Sequence, residues 1–203
     1  MQNQNEKLIS FLFQTDAIRV CPQDKPFWYT SGTIGPYYIN THFLYGSEEK
    51  ANNLLKLIDE EKNDYLQCIR KVSDEVEKNY REDTIYKSLI DDMVDFIRQN
   101  INVDEVDMIS GGERRDWFFS VKVANILNKP HVTIYKDLQT CLIDGDKVLQ
   151  KDMAKGKNIL HIADLITEAS SYVRAWIPAV KGLDARIKWS CVVVDRMQGG
   201  GQL

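Results

Sequence analysis

Apolar positions along this chain follow two rhythms, and the change between them falls near its middle. Up to about residue 99 they recur at three- and four-residue spacing, the period of an amphipathic helix. Leu8, Ile9, Leu12 and Phe13 fall on one face of a helix predicted over residues 5–19. Leu54, Leu55, Leu57 and Ile58 open a second series. Tyr65, Leu66, Ile69, Val72 and Val76 continue it, and Ile85, Leu89, Ile90, Met93, Phe96 and Ile97 close it. Ser47 reads as a helix cap, with Glu48 and Glu49 in the first turn where the helix dipole favours anions. "NYREDT", residues 79–84, reads as the break between the last two helices. Residues 21–46, "CPQDKPFWYTSGTIGPYYINTHFLYG", interrupt the helical pattern. They are rich in aromatics and punctuated by Pro and Gly, which predicts short strands and turns.

Beyond residue 100 the rhythm shortens. "VDMIS" (106–110), "HVTIY" (131–135), "NILHIA" (158–163) and "IKWSCVVVD" (187–195) are brief apolar runs. Helical patterns over 117–128 and 170–182 separate some of them. Strand and helix in alternation predict an α/β fold, a parallel sheet with flanking helices. Ligands of such sheets bind outside the carboxyl ends of the strands. That rule selects residues 110–117, 135–141, 164–171 and 195–200 before any chemistry is weighed.

Composition narrows the classes. The chain has 203 residues, 43% hydrophobic and 28% charged, an ordinary globular balance with room for one well-buried domain and a small appendage. A net charge of −4 disfavours a nucleic-acid partner. No apolar run approaches the roughly 20 residues of a membrane span, and the polar N-terminus lacks a signal-peptide core. A cytoplasmic protein without a membrane partner is the expectation. Cys21, Cys68, Cys141 and Cys191 are far apart and read as free thiols. His42, His131 and His161 have no ligand spacing with them, so no protein metal site is expected.

The first strand end reads "SGGERRDWFF" (110–119). Gly111 and Gly112 would let the backbone turn sharply near a ligand, and Arg114 and Arg115 offer guanidinium forks for phosphate or carboxylate. A tight turn with solvated arginines is the plainer reading. The second, residues 135–157, has Lys136 at the strand exit. It is either a long functional loop or a β-hairpin with Asp144-Gly145 as its turn. In the third, "ILHIADLITEASS" (159–171), Asp164 stands just past a strand, followed by Thr167, Ser170 and Ser171 at a helix start suited to anions. The plainer reading has Thr167 capping the helix and Glu168 in its first turn. The fourth is "VVVDRMQGGG" (192–201). No GxGxxG, GxxxxGK[ST] or GxSxG is present, and no Ser or Cys pairs visibly with a His.

In order, these pieces resemble the orotate phosphoribosyltransferases. "FWYTSGTIGPYYINTHFL" is similar to the family's N-terminal segment, part of a hood over the orotate. "MISGGERRDWFFSVKVANILNKPHVTIYKD" is similar to its strand–loop–helix–strand ending in an Arg-Lys pair. "KNILHIADLITEASS" is similar to its ribose-diphosphate motif, and "VVVDRMQGG" to its closing strand, the most specific piece. The resemblance spans roughly residues 27–43 and 107–200.

What the resemblance implies is a type I phosphoribosyltransferase core at 101–203, a helix and hood at 1–46, and a helical insertion at 47–100, one compact unit overall. Such an enzyme joins 5-phosphoribosyl 1-diphosphate to orotate and releases diphosphate, with magnesium held mainly by the substrate. It also implies a homodimer. Asp164 and Lys136 take the catalytic places. Gly111, Gly112, Arg114, Arg115, Thr167, Glu168, Ala169, Ser170 and Ser171 take the phosphoribosyl and diphosphate places. Ser31, Gly32, Tyr37 and Arg196 take those around the base. The chain departs from the pattern at several positions. Ala163 replaces the first acid, Glu168 and Ala169 replace small turn residues, and Tyr135 replaces the arginine of the pair. Gln139 and Cys141 stand where a lysine and a histidine are expected, and Thr30 where many members have lysine. One lost contact to a developing diphosphate costs on the order of 2–4 kcal/mol. Arg114, Arg115, Lys147 and Lys151 are expected to restore positive charge from other positions. The ordered motifs favour a transferase, and the departures favour a member that senses a phosphoribosyl ligand or nucleotide.

Overall fold

The computed structural model describes residues 2–28 and 34–199. Helix α1, Gln2–Gln14, leads into β1 (Ile18–Val20), β2 (Phe27–Trp28), β3 (Ile34–Gly35) and β4 (Tyr37–Ile39), which form two small antiparallel ribbons, β1–β4 and β2–β3. α1 is shorter than its apolar period suggested. Its last turn is closed by Thr15, whose hydroxyl donates to Phe11 O, and Asp16 then takes a left-handed φ of 54°, which ends the helix. A 3₁₀ turn, Thr41–Tyr45, joins the ribbons to α2 (Glu48–Glu61), α3 (Tyr65–Glu82) and α4 (Thr84–Asn100).

The helix starts follow the capping chemistry of the sequence. Ser47 Oγ accepts from Lys50 N at 3.2 Å, Asp64 Oδ1 from Gln67 N at 3.0 Å and Asp83 Oδ1 from Tyr86 N at 2.9 Å. Asp83 also terminates α3, so one residue makes the expected break. Gly46 stands at φ 122° directly against the Asp83 carboxyl.

The second half alternates as expected: β5 (Met108–Gly112), α5 (Trp117–Leu127), β6 (His131–Ile134), β7 (Thr140–Asp144), β8 (Lys147–Val148), β9 (Asn158–Ile166), a π-helical turn (Tyr172–Trp176), α6 (Ile177–Lys181) and β10 (Arg186–Asp195). The six-stranded sheet has the order β10-β9-β5-β6-β7-β8. Its first four strands are parallel, and β7 and β8 add antiparallel at the edge. The segment after Lys136 is therefore the hairpin, with Gly145 at φ 55° in its turn.

Every residue of β5 and β6 is buried, because helices cover both faces. Alternate residues divide between two apolar clusters. Ile109, Leu160 and Cys191 face α2–α5, while Met108, Ile159 and Val192 face the π turn and α6. β9 runs past the predicted end to Ile166, so Asp164 lies within the strand. The final helix is split because Pro178, at its α-helical start, has no N–H to continue the ladder. Among the described residues no helix is long and apolar enough to cross a membrane.

Candidate functional site

A cleft of about 340 Å³ opens at the carboxyl ends of β5, β6 and β9. Three loops line it: Glu113 to Asp116 after β5, Lys136 after β6, and the turn from Thr167 to Ser171 after β9. Asp164, Lys136, Arg114, Arg115, Thr167, Glu168, Ala169, Ser170 and Ser171 are all brought together here.

Asp164 forms the floor and is 8% exposed. Its Oδ2 accepts from Thr41 Oγ1 at 2.7 Å. Burial first, and the neighbouring Asp116 second, push its carboxyl up to about 7, against the pull of Thr41 and Arg115. Asp116 is not conspicuous in the sequence. Its Oδ1 accepts from Asp164 N and its Oδ2 from Gly112 N, both at 3.0 Å, so one carboxylate ties the ends of β5 and β9 together. The signal that could have found it is an acid four residues after a strand-ending Gly-Gly, at the start of a helix.

Beneath these acids lies a buried polar row. His161 Nδ1 meets Ser110 Oγ at 2.8 Å, and His161 Nε2 stands 3.6 Å from Asp116 Oδ2. His131 contacts Ser120 at 2.9 Å and Thr133 at 3.0 Å, and its burial lowers its pKa to about 3. His42, next to the Thr41 contact, is likewise lowered to about 3 by burial and then by Arg115 and Arg114.

The basic wall is uneven. Arg114 lines the cleft, yet its Nη1 is ion-paired with Asp59 of α2. The peptide bond between Glu113 and Arg114 is cis. Among the described residues the Arg115 guanidinium and Lys136 ammonium have no carboxylate within ion-pairing distance; the Lys136 backbone N–H donates to Glu113 Oε2 at 2.9 Å. Lys147 and Lys151 do not line the cleft, which corrects the expectation that they restore its charge. Lys147 is held in the hairpin opposite Asp144, and Lys151 Nζ reaches Gln139 Oε1 at 3.5 Å.

The turn after β9 differs from the capped-helix reading. Thr167 and Glu168 sit in a bend, and helical backbone begins only after Ala169. Ala169 holds a left-handed φ of 53°, a conformation that costs a non-glycine residue about 1–2 kcal/mol. Glu168 is exposed at the cleft edge and makes no hydrogen bond or ion pair among the described residues.

Gly111 and Gly112 do not form the ligand-side turn expected of them. They are the last residues of β5 and are not among the cleft lining. A Cβ on Gly111 would lie 2.2 Å from Ser120 Oγ, and one on Gly112 would lie 2.2 Å from the Trp176 ring. Their role in the fold is close packing of α5 and the π turn. Tyr37 and Arg196 lie outside the cleft lining but together, with the guanidinium 5.8 Å from the ring centroid. Arg196 N donates to Ile166 O at 3.0 Å, which sets this pair beside the turn. Ser31 and Gly32 lie outside the described residues.

No family model matches the chain, and no curated protein matches it. Solved structures do match. Orotate phosphoribosyltransferase from Aeropyrum pernix aligns with a TM-score of 0.61 at 17% identity, over 96% of this chain and 85% of that one. UMP synthase from Leishmania donovani aligns with a TM-score of 0.57 at 16% identity, over 96% of this chain, which spans only 32% of that protein. Mycobacterium tuberculosis orotate phosphoribosyltransferase, solved with inorganic phosphate, aligns with a TM-score of 0.50 at 12% identity, over 98% of this chain and 88% of that one. The fold is that of the type I phosphoribosyltransferases, a mostly parallel six-stranded sheet with flanking helices.

Proposed function

We propose that the chain binds 5-phosphoribosyl 1-diphosphate in the cleft above Asp164 and transfers the phosphoribosyl group to orotate or a related base, releasing diphosphate. The observation that carries this reading is that Asp164, Arg115 and Lys136 converge from separate strand ends on one cleft. Asp164 meets the ribose hydroxyls. Arg115 and Lys136 face the diphosphate, where negative charge grows as the bond to the sugar breaks. Cations at that place lower the barrier by opposing the growing charge. Arg196, its guanidinium 5.8 Å from the Tyr37 ring centroid, is of the chemistry that suits a base carboxylate.

Among the described residues no group of three or more His, Cys, Asp or Glu side chains is placed to hold a metal ion. The magnesium ligands in this proposal are diphosphate oxygens and water. By the same resemblance the working unit is a cytoplasmic homodimer, which sedimentation would check.

Loss of orotate absorbance when sugar diphosphate, magnesium and orotate are all present tests the transfer. A second reading, a sensor that binds the ligand without turnover, is favoured by the β7–β8 hairpin. Gln139 and Cys141 occupy the expected basic positions, and the hairpin is stitched to the sheet from Thr140↔Ile134 to Ile143↔His131. Saturable binding with no change in orotate absorbance would select it.

A further inference from the structure

We propose that Asp116 is a positioning residue for the cleft: set against Asp164, it makes the two acids hold one proton between them, so the floor meets a ligand's sugar hydroxyls with one negative charge instead of two. Only the identity of the ligand rests on the phosphoribosyl reading.

The geometry brings three titratable groups into one dry cluster. Asp116 is 6% exposed, and its Oδ1 lies 3.0 Å from the backbone nitrogen of Asp164. His161 is fully buried, and its Nε2 has no hydrogen-bond partner among the described residues. Buried ring nitrogens without partners are rare, and this one is aimed at Asp116 Oδ2. The 2.8 Å contact between Ser110 Oγ and Nδ1 holds the ring with Nε2 toward that carboxylate.

The groups facing Asp164 come from every side. Thr41 lies on the 3₁₀ turn, Asp116 and Arg115 on the loop after β5, the Leu165 N–H on β9 itself, and Tyr172 on the π turn. Arg115 is the one cation in that set, and it also acts on His42. Two carboxylates sharing a dry site with one cation cannot both ionise cheaply, so one keeps its proton. The raised pKa of Asp164 agrees with this arrangement.

The consequence is for anion binding. The cleft lining already holds Glu113 and Glu168. Each negative charge removed from the floor lowers repulsion toward a phosphorylated sugar. Affinity for such a ligand should therefore fall as the acid pair gives up its proton.

The test is carboxyl ¹³C NMR of the whole chain with labelled aspartate, followed by calorimetry. Asp164 should titrate with a midpoint near 7, and Asp116→Asn should lower that midpoint by about one unit or more. A merely structural Asp116 would leave the midpoint in place, and a wild-type midpoint below about 5 would also overturn the proposal. If Asp116→Asn does not fold, the wild-type Asp116 carboxyl decides. It must report the same transition as Asp164, as a coupled pair does, and silence there overturns the proposal. Affinity for 5-phosphoribosyl 1-diphosphate with magnesium should drop several-fold from about pH 6 to about pH 8. The ligand's own phosphate gains charge over that range, which alone would strengthen binding to Arg115 and Lys136, so a drop reports the floor. Constant or rising affinity overturns the proposed consequence. No binding at any pH, with the coupled titration intact, leaves the acid pair standing and overturns the phosphoribosyl reading.

Discussion

Thr41 Oγ1 donates a 2.7 Å hydrogen bond to Asp164 Oδ2 across 123 positions of sequence, and both residues are buried. The bond links the 3₁₀ turn, which leaves the N-terminal ribbons, to the floor of the cleft. Thr41→Val keeps the shape and removes the donor. The expected cost is about 1–3 kcal/mol in urea unfolding, because a buried acceptor loses its partner. The hydroxyl favours the ionised carboxylate, so the Asp164 carboxyl should also titrate at higher pH in the variant. An unchanged titration would show that the contact is absent in solution.

Stability should depend on pH through groups of opposite sign. Asp164 is raised from 3.8 to about 7, so its contribution is fully present below about 3.8 and is lost as pH rises through about 7. His42 and His131 are lowered from 6.5 to about 3, so theirs is present above 6.5 and is lost as pH falls through about 3. Asp164→Asn removes only the first. Relative to wild type, this variant should gain stability steadily as pH rises from about 4 to about 7 and then level off. Unfolding midpoints in urea across this range check it, and a constant difference contradicts it.

Gly112→Ala should destabilise the fold by about 1–3 kcal/mol, because the new methyl meets the Trp176 ring. Trp176 lines the cleft, so the displaced indole should weaken ligand binding as well. Gly145→Ala, in the open hairpin turn at φ 55°, adds a methyl with nothing within 4 Å. Its cost should stay near about 1 kcal/mol and leave binding unchanged. Thermal unfolding and calorimetry on both variants separate close packing from turn strain.

Much of this architecture is legible in the sequence, and the reasons differ from element to element. Ser47, Asp64 and Asp83 act locally, within one turn, so the helix starts follow from neighbouring residues. The buried strands follow from short apolar runs, and the strand-end rule collects the cleft residues without any fold comparison. What stays hidden depends on distant partners. Gly111 and Gly112 look like a ligand turn until Ser120 and Trp176 are packed against them. Asp116 looks like an ordinary helix-start acid until β9 brings Asp164 alongside. Arg114 and Arg115 are adjacent and alike in sequence, and only the position of Asp59 on α2 tells them apart.

Glu168 stands at the exposed rim of the turn where the resemblance places a 5′-phosphate. A carboxylate there repels a phosphate through solvent, an interaction of about 1 kcal/mol. Glu168→Ser should raise affinity for ribose 5-phosphate about fivefold, and more at low salt. No gain at low salt would mean that the phosphate seats elsewhere.

Binding of a phosphoribosyl ligand in the cleft through Arg115 is decided by calorimetric titration with 5-phosphoribosyl 1-diphosphate and magnesium. Wild type should bind saturably. Arg115→Ala should lose at least about tenfold in affinity, as expected for removal of a charge-assisted phosphate contact. Arg114→Ala should lose little beyond its surface pair with Asp59. Folded wild-type protein that shows no binding heat, or equal affinity in wild type and Arg115→Ala, would rule out a phosphoribosyl site built on Arg115.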